Sequence, residues 1–293
     1  MLLADKYFPS ISRIFTPVVM DSIAQKGQSS YLSEVCSNNG LFEKIDLSMS
    51  LGQFFDWAYD LLFKNYRCEY IYKNVIANKI LLGKHSLNTS HMLTEFRVGT
   101  CKADAVVING TSTVYEIKSE FDSFARLKKQ IQTYLETFDH INVITSANQA
   151  AKLESILPAN AGILVLTNRN TITTIRESQS NKKNISPTVL FDSLRKNEYL
   201  KIINDYFGTK PDVPNTQIYK ECKKLFCKMT PEIAHDSTIK ILKKRSDTKV
   251  LQEFITKAPV SLSAYAISIC NEKTKMFALM PRLTSNIGSV LIP

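Results

Sequence analysis

The stretch MLTEFRVGTCKADAVVINGTSTVYEIKS, residues 92–119, holds three short β-branched runs: Met92 to Val98, Lys102 to Ile108 and Thr113 to Lys118. Gly99-Thr100 and Asn109-Gly110 separate them, so they read as three consecutive strands. Asn-Gly is the strongest short hairpin signal, because both central positions of a type I′ turn need positive φ. The second and third strands are therefore expected to pair antiparallel. Residues two apart on a strand share a face, which puts Glu116 and Lys118 on one side and Tyr115 and Ile117 on the other. Asp104, on the hairpin partner, can lie on the same face as Glu116. Carboxylates flanked by Ala105-Val106-Val107-Ile108 or by Tyr115 and Ile117 are costly unless they are paired or bind metal.

Two carboxylates converging with a lysine have a definite chemical use. The acids can hold one or two Mg²⁺ ions, and the lysine can orient or activate a water and stabilise charge in the transition state. Hydrolysis of a phosphodiester follows from such a set. Oxygen ligands suit Mg²⁺, with Mn²⁺ as a substitute, and the absence of a histidine or cysteine cluster argues against zinc. His85, His91, His140 and His235 stand isolated in the sequence and enter no site.

Outward from the three strands, Ile71, Val75, Ile76, Ile80 and Leu81 recur at helical spacing between Cys68 and Leu82, with Gly83 as a stop. On the other side, Asp122 or Ser123 can cap a helix whose buried face is Phe124, Leu127, Ile131, Tyr134, Leu135 and Phe138. A strand Ile141 to Thr145, a helix Gln149 to Leu157, and strands Gly162 to Leu166 and Thr171 to Ile175 follow. The polar run Glu177 to Asn184 is the best candidate boundary. Beyond it Phe191 to Phe207, Thr216 to Lys228 and Ile233 to Lys244 read as helices, and the tail from Lys257 shows no clean period. The expected fold class is α/β (α+β), a mixed central sheet flanked by helices. The expected domains are a helical region at 1–64, a core at 65–177 and a mainly helical basic region at 185–293.

The chain has 293 residues, 44% hydrophobic and 22% charged, a globular composition. No stretch approaches the roughly 18–20 apolar residues of a membrane span, and Asp5, Lys6, Pro9 and Arg13 interrupt any signal-peptide pattern, so a cytoplasmic protein with no membrane association is expected. The six cysteines form no C-x-x-C pair and read as reduced thiols. The net charge of +10 attracts polyanions, of which nucleic acid is the commonest inside cells.

In the order helix, three-stranded meander, helix, strand, with Asp104 on the second strand and Glu116-Ile117-Lys118 on the third, the chain resembles the PD-(D/E)XK nucleases. Gln130 and Tyr134 on the next helix look like the Gln-x-x-x-Tyr motif of the RecB-like branch. The resemblance covers roughly Cys68 to Ile144 and implies a restriction-endonuclease-like core. Ala103 stands where the motif name has Pro. By the same resemblance, Asp104 and Glu116 hold the metal, Lys118 assists the water, and Gln130 and Tyr134 steady the site or the strand. A further acid near the start of the core is implied; Glu95 is favoured over Glu69 because it opens a strand beside Asp104. Such domains act in DNA repair, restriction and phage defence, and DNA is the expected substrate.

Alternatives remain open at this level. RNA cleavage fits the same residues, and so does a nucleic-acid-binding or protein-interaction module that keeps the fold without turnover. Arg126 and Lys129 can contact phosphates or simply solvate their helix. The same choice holds for the basic cluster around Lys220, Lys223, Lys224 and Lys228, with Lys240 to Arg245 beyond it.

Overall fold

A computed structural model describes residues 5–84, 87–245 and 248–291, so His85 lies outside the described residues. The chain divides into two compact units, one formed by residues 1–88 with 246–293 and the other by 89–245. The fold class is the expected mixed α/β, but the division falls elsewhere than the sequence suggests.

The second unit contains a six-stranded sheet in the order β1-β2-β3-β4-β5-β6: β1 His91–Val98, β2 Cys101–Ile108, β3 Ser112–Lys118, β4 His140–Thr145, β5 Gly162–Leu166 and β6 Ile172–Arg176. The first three strands form an antiparallel meander, β3, β4 and β5 are parallel, and β6 returns antiparallel. Parallel neighbours need crossovers, supplied by α1 Leu127–Leu135 between β3 and β4 and by α2 Ala147–Ile156 between β4 and β5. All of β5, and β4 after its first residue, are buried, as expected of strands covered on both faces. The helices α3 Pro187–Asp192, α4 Lys196–Phe207, α5 Asn215–Phe226 and α6 Pro231–Leu242 complete the unit.

Those last four helices belong here because their apolar faces share one core with the sheet. Phe191, Ile203, Phe226 and Ile239 lie in the same buried cluster as Val106, Val143 and Ile163. The polar run 177–184, expected as a boundary, is instead pinned inside the unit. Asp139 at the start of β4 accepts hydrogen bonds from Ser180 Oγ at 2.6 Å, Thr111 Oγ1 at 2.5 Å and the Asn181 amide at 3.1 Å. Burial pushes the Asp139 carboxyl up, but these hydrogen bonds outweigh it and hold the group below its ordinary 3.8. The sign follows: a depressed folded value stabilises the protein above 3.8, and that stability is lost as pH falls through the depressed value. Asp139→Asn should therefore flatten the acid limb of a urea-denaturation profile between about pH 5 and 2; an unchanged limb would remove Asp139 from the account.

A second fastening joins α6 to β3. His235, 1% exposed, meets Ser112 Oγ through Nε2 at 2.9 Å and Asp236 Oδ1 through Nδ1 at 3.1 Å. Asp236 Oδ1 accepts from Nδ1–H, which leaves Nε2 of the neutral ring to accept from the Ser112 hydroxyl, whose oxygen also accepts from the Asp139 amide. Burial pushes the His235 imidazole down and keeps it neutral. His235 and Ser112 are buried, while Asp236 is exposed and also pairs with Lys182 at 2.6 Å, so the array ties α6 to β3 and to the 177–184 run.

Two local expectations are corrected. The β2–β3 hairpin closes through a three-residue loop, Asn109-Gly110-Thr111, because Ile108 pairs with Ser112; Gly110 alone there takes positive φ, so the turn is not type I′. The helix after β3 starts at Leu127 rather than at Asp122 or Ser123, and its cap position, Arg126, makes no side-chain cap bond. Asp122 is already used: its Oδ2 accepts from Ser119 N at 2.8 Å and Ser119 Oγ at 2.6 Å.

The first unit is helical. Its longest helix, Leu51–Asn65, begins with a reciprocal capping box between Ser50 and Gln53. The helix expected from Cys68 to Leu82 forms as Glu69–Val75 continuing in a π-helical stretch, Ile76–Leu81, and it belongs to this unit rather than to the core expected at 65–177. The unit is discontinuous because buried Asn74 donates to Val260 O at 3.0 Å and accepts from Ala264 N at 2.9 Å. The tail without a clean period is helical too, including Thr248–Lys257 and Lys273–Leu283. Among the described residues no helix is long and apolar enough to cross a membrane. All six cysteines are free thiols.

Candidate active site

Glu116 and Lys118 share one face of β3, as alternation requires, yet both are buried, at 1% and 8% exposure. The Lys118 ammonium donates to Glu116 Oε1 at 2.7 Å and to Gln130 Oε1 at 3.1 Å. The Gln130 amide donates in turn to the same Glu116 oxygen at 2.5 Å. On the next turn of α1, the Tyr134 hydroxyl donates to Glu116 Oε2 at 2.7 Å, with Lys102 O as a second acceptor at 3.3 Å. Residues 130 and 134 stand one above the other on a helix face, which is why both reach one carboxylate. Burial first, and the Glu116 charge second, raise the Tyr134 phenol far above its ordinary value, so it stays protonated and donating.

Asp104 arrives by a break in the β1–β2 ladder. The pairing runs from Thr94↔Ala105 to Phe96↔Ala103, stepping over Glu95 and Asp104. Leu93 with Val106 and Phe96 with Ala103 pack into the same core, although strict alternation would send those two pairs to opposite faces. Glu95 absorbs the switch, with φ at +56°, a conformation a side-chain-bearing residue rarely adopts. Strained backbone of this kind is retained where surrounding structure compensates for it, and it concentrates at functional sites. Opposite each other at this break, Glu95 and Asp104 have carboxylate oxygens within 4.8 Å of each other.

Asp104 Oδ2 also accepts from the Ile117 amide at 2.8 Å, which sets its carboxylate on the backbone between Glu116 and Lys118. The structure thus brings Asp104, Glu116, Lys118, Gln130 and Tyr134 together, with Glu95 beside Asp104. Glu116 is not part of the close carboxylate pair; its oxygens turn to Lys118, Gln130 and Tyr134. Glu69 opens a helix of the other unit and is paired with Lys73.

Two partners escaped the sequence reading. Lys102 forms an ion pair with Glu95. Fully buried Thr145, the register partner of Lys118 on parallel β4, donates to Lys118 O at 2.7 Å and fixes the end of β3. Of the proposed phosphate-binding residues, Arg126 and Lys129 are exposed at the start of α1. Lys223 and Lys224 are differently placed: Lys223 is held by both Asp192 oxygens at 2.6 and 2.7 Å, and Lys224 by Glu221 at 2.7 Å. Two of the four lysines expected to form the basic grip, Lys220, Lys223, Lys224 and Lys228, are thereby paired within the protein.

The model of the bacteriophage P4 protein cII family matches residues 63–264, over two thirds of the chain and all of the site just described. The chain belongs to that family. Protein cII of Enterobacteria phage P4 is 21% identical over 123 residues, 41% of this chain and 45% of that protein, so the match spans less than half of the relative. Among solved structures, a protein of unknown function from Silicibacter pomeroyi, SPO1766, is 19% identical across 43% of this chain and 87% of its own, at a TM-score of 0.28.

Proposed function

We propose that this protein is a metal-dependent nuclease of the PD-(D/E)XK type with a RecB-like site, acting in the cytoplasm on nucleic acid, with DNA ahead of RNA. The observation that carries the reading is the buried pair Glu116–Lys118 with Asp104 on the intervening Ile117 amide. Two charges withdrawn from water cost several kcal/mol each in desolvation, and apolar residues of similar volume at these positions would be at least as stable. A fold that retains them, with two further side chains committed to orienting one carboxylate, departs from packing economy where function is the usual reason.

The donor set fits Mg²⁺ or Mn²⁺: Glu95, Asp104 and Glu116 offer only carboxylate oxygens. When bound, such an ion supplies Lewis acidity at a phosphoryl oxygen and lowers the pKa of water. This chain's own groups supply the rest. Lys102 pairs with Glu95 and Lys118 with Glu116, so the one-charge anionic excess of these five groups falls at Asp104 beside Glu95, where a divalent cation is favoured. Lys118 has three N–H donors; Glu116 and Gln130 take two, leaving one for the attacking water or a phosphate oxygen. Tyr134 and Gln130 hold Glu116 in place by donating to its two oxygens. DNA repair, restriction or phage defence is the proposed biological setting.

One observation favours a second reading, a binding module without turnover: Glu116 already receives three hydrogen bonds from its own chain. Cleavage assays on single- and double-stranded DNA and RNA with Mg²⁺ or Mn²⁺ decide between them. The parent is expected to cut, and Asp104→Ala, Glu116→Ala and Lys118→Ala to lose activity. Unchanged activity in all three would sink the mechanism, and binding without cutting would favour the module.

A further inference from the structure

Three residues beyond Lys118, Phe121 presents 57% of its surface to solvent, the highest value among the described aromatic side chains. Its segment is not a loose loop tip. Ser119 N and Oγ donate to Asp122 Oδ2, the Phe121 amide donates to Ser119 Oγ at 3.3 Å, and the Asp122 amide donates to Ser119 O at 3.2 Å. From α2, the Gln149 amide donates to Glu120 O at 3.2 Å, and Gln149 also receives the Thr145 hydroxyl at 3.3 Å. Thr145 is the residue that fixes Lys118, so one chain of hydrogen bonds holds both the lysine and the aromatic segment. Three residues of extended chain span at most about 10 Å, which keeps Phe121 within a nucleotide or two of Lys118.

On the far side of Phe121, the chain enters α1 through exposed Arg126, Lys128 and Lys129. In chain order an exposed ring on a hydrogen-bonded backbone segment stands between a buried lysine and three exposed cations, a combination that matches a polymer alternating flat apolar faces with anionic links. Nucleobases offer such faces only where they are not already stacked within a duplex.

We propose that Phe121 is a base-stacking platform of this site, which makes its ligand a single-stranded nucleic acid whose phosphates run toward Arg126, Lys128 and Lys129. The proposal rests on the nuclease reading of the same site and adds the strand form of the substrate. Every base has a π-face, so the platform tolerates any sequence.

The test is fluorescence anisotropy of the full chain with a labelled oligothymidylate and with a duplex of equal length, in EDTA so that binding is read without turnover. Phe121 is exposed, so its variants retain the fold. Phe121→Ala is expected to weaken oligothymidylate binding about tenfold and duplex binding far less. Phe121→Leu, apolar but without a ring face, should behave like Phe121→Ala, whereas Phe121→Trp should bind like the parent and show indole quenching on binding. A parent that binds and cleaves nucleic acid while Phe121→Ala matches it, or while Phe121→Leu matches it, overturns the platform and leaves the nuclease reading intact. A parent that neither binds nor cleaves overturns that reading, and the platform with it.

Discussion

Lys118→Met is expected to slow metal-dependent phosphodiester cleavage about 10²–10³-fold, the loss that follows removal of one preorganised donor to developing charge. The effect is large because no neighbouring group replaces the ammonium: Gln130 and Tyr134 already donate to Glu116, and the other ammonium of the site, Lys102, is engaged with Glu95. The variant also strands the buried Glu116 anion without its ammonium, which costs about 3–5 kcal/mol of stability. Single-turnover rates at saturating metal, read with a thermal melt, separate the two losses. Lys118→Arg should not rescue the rate, since a planar guanidinium cannot take the place of a compact ammonium in a buried site. A folded Lys118→Met that cuts at the parent rate removes the lysine from the chemistry.

A loss of stability of the same size is expected at the edge of the second unit, in Glu198→Ala. Both carboxylate oxygens of buried Glu198 accept from Arg245, through Nε and Nη2 at 2.6 Å each, and the Arg195 amide adds a bond at 2.7 Å. The guanidinium also lies 5.2 Å from the Phe96 ring, beside the strained Glu95. Removing the carboxylate strands a largely buried cation, for which about 3–5 kcal/mol is the usual cost. Glu198→Leu with Arg245→Met should recover most of that, because neither charge then remains. Burial raises the Glu198 carboxyl, but the Arg245 hydrogen bonds outweigh it and hold the group below 4.5. Its stabilisation is therefore full above 4.5 and lost as pH falls through the depressed value. Urea denaturation at neutral pH checks the prediction; a loss under 1 kcal/mol would show that the clasp is not structural.

Local signals in the sequence were legible wherever one residue's neighbours decide its state. The three strands, the shared face of Glu116 and Lys118, and the stacking of Gln130 over Tyr134 all follow from periods of 2 and 3.6. What stayed hidden depends on partners far away in sequence. Asn74 meets Val260 and Ala264 across more than 180 residues, and that closure moves the helix at Glu69 out of the core it was expected to open. The run 177–184 is polar because most of it faces solvent, yet Ser180 and the Asn181 amide fasten it to Asp139, so it is not a linker. Asp122 had the chemistry of a helix cap but caps a turn instead, and Lys223 had the charge of a phosphate ligand but binds Asp192. Alternation also hid the Glu95 switch, since it is broken there on both strands at once.

The central claim is metal-dependent hydrolysis at the site of Asp104, Glu116 and Lys118. The most direct measurement is cleavage of labelled single-stranded DNA by the full chain in EDTA, then after Mg²⁺ or Mn²⁺ is restored, beside Asp104→Ala treated identically. The account predicts no cutting in EDTA, cutting on restoring either ion, and none by the variant. Cutting that survives EDTA, or that Asp104→Ala performs as well as the parent, would contradict it.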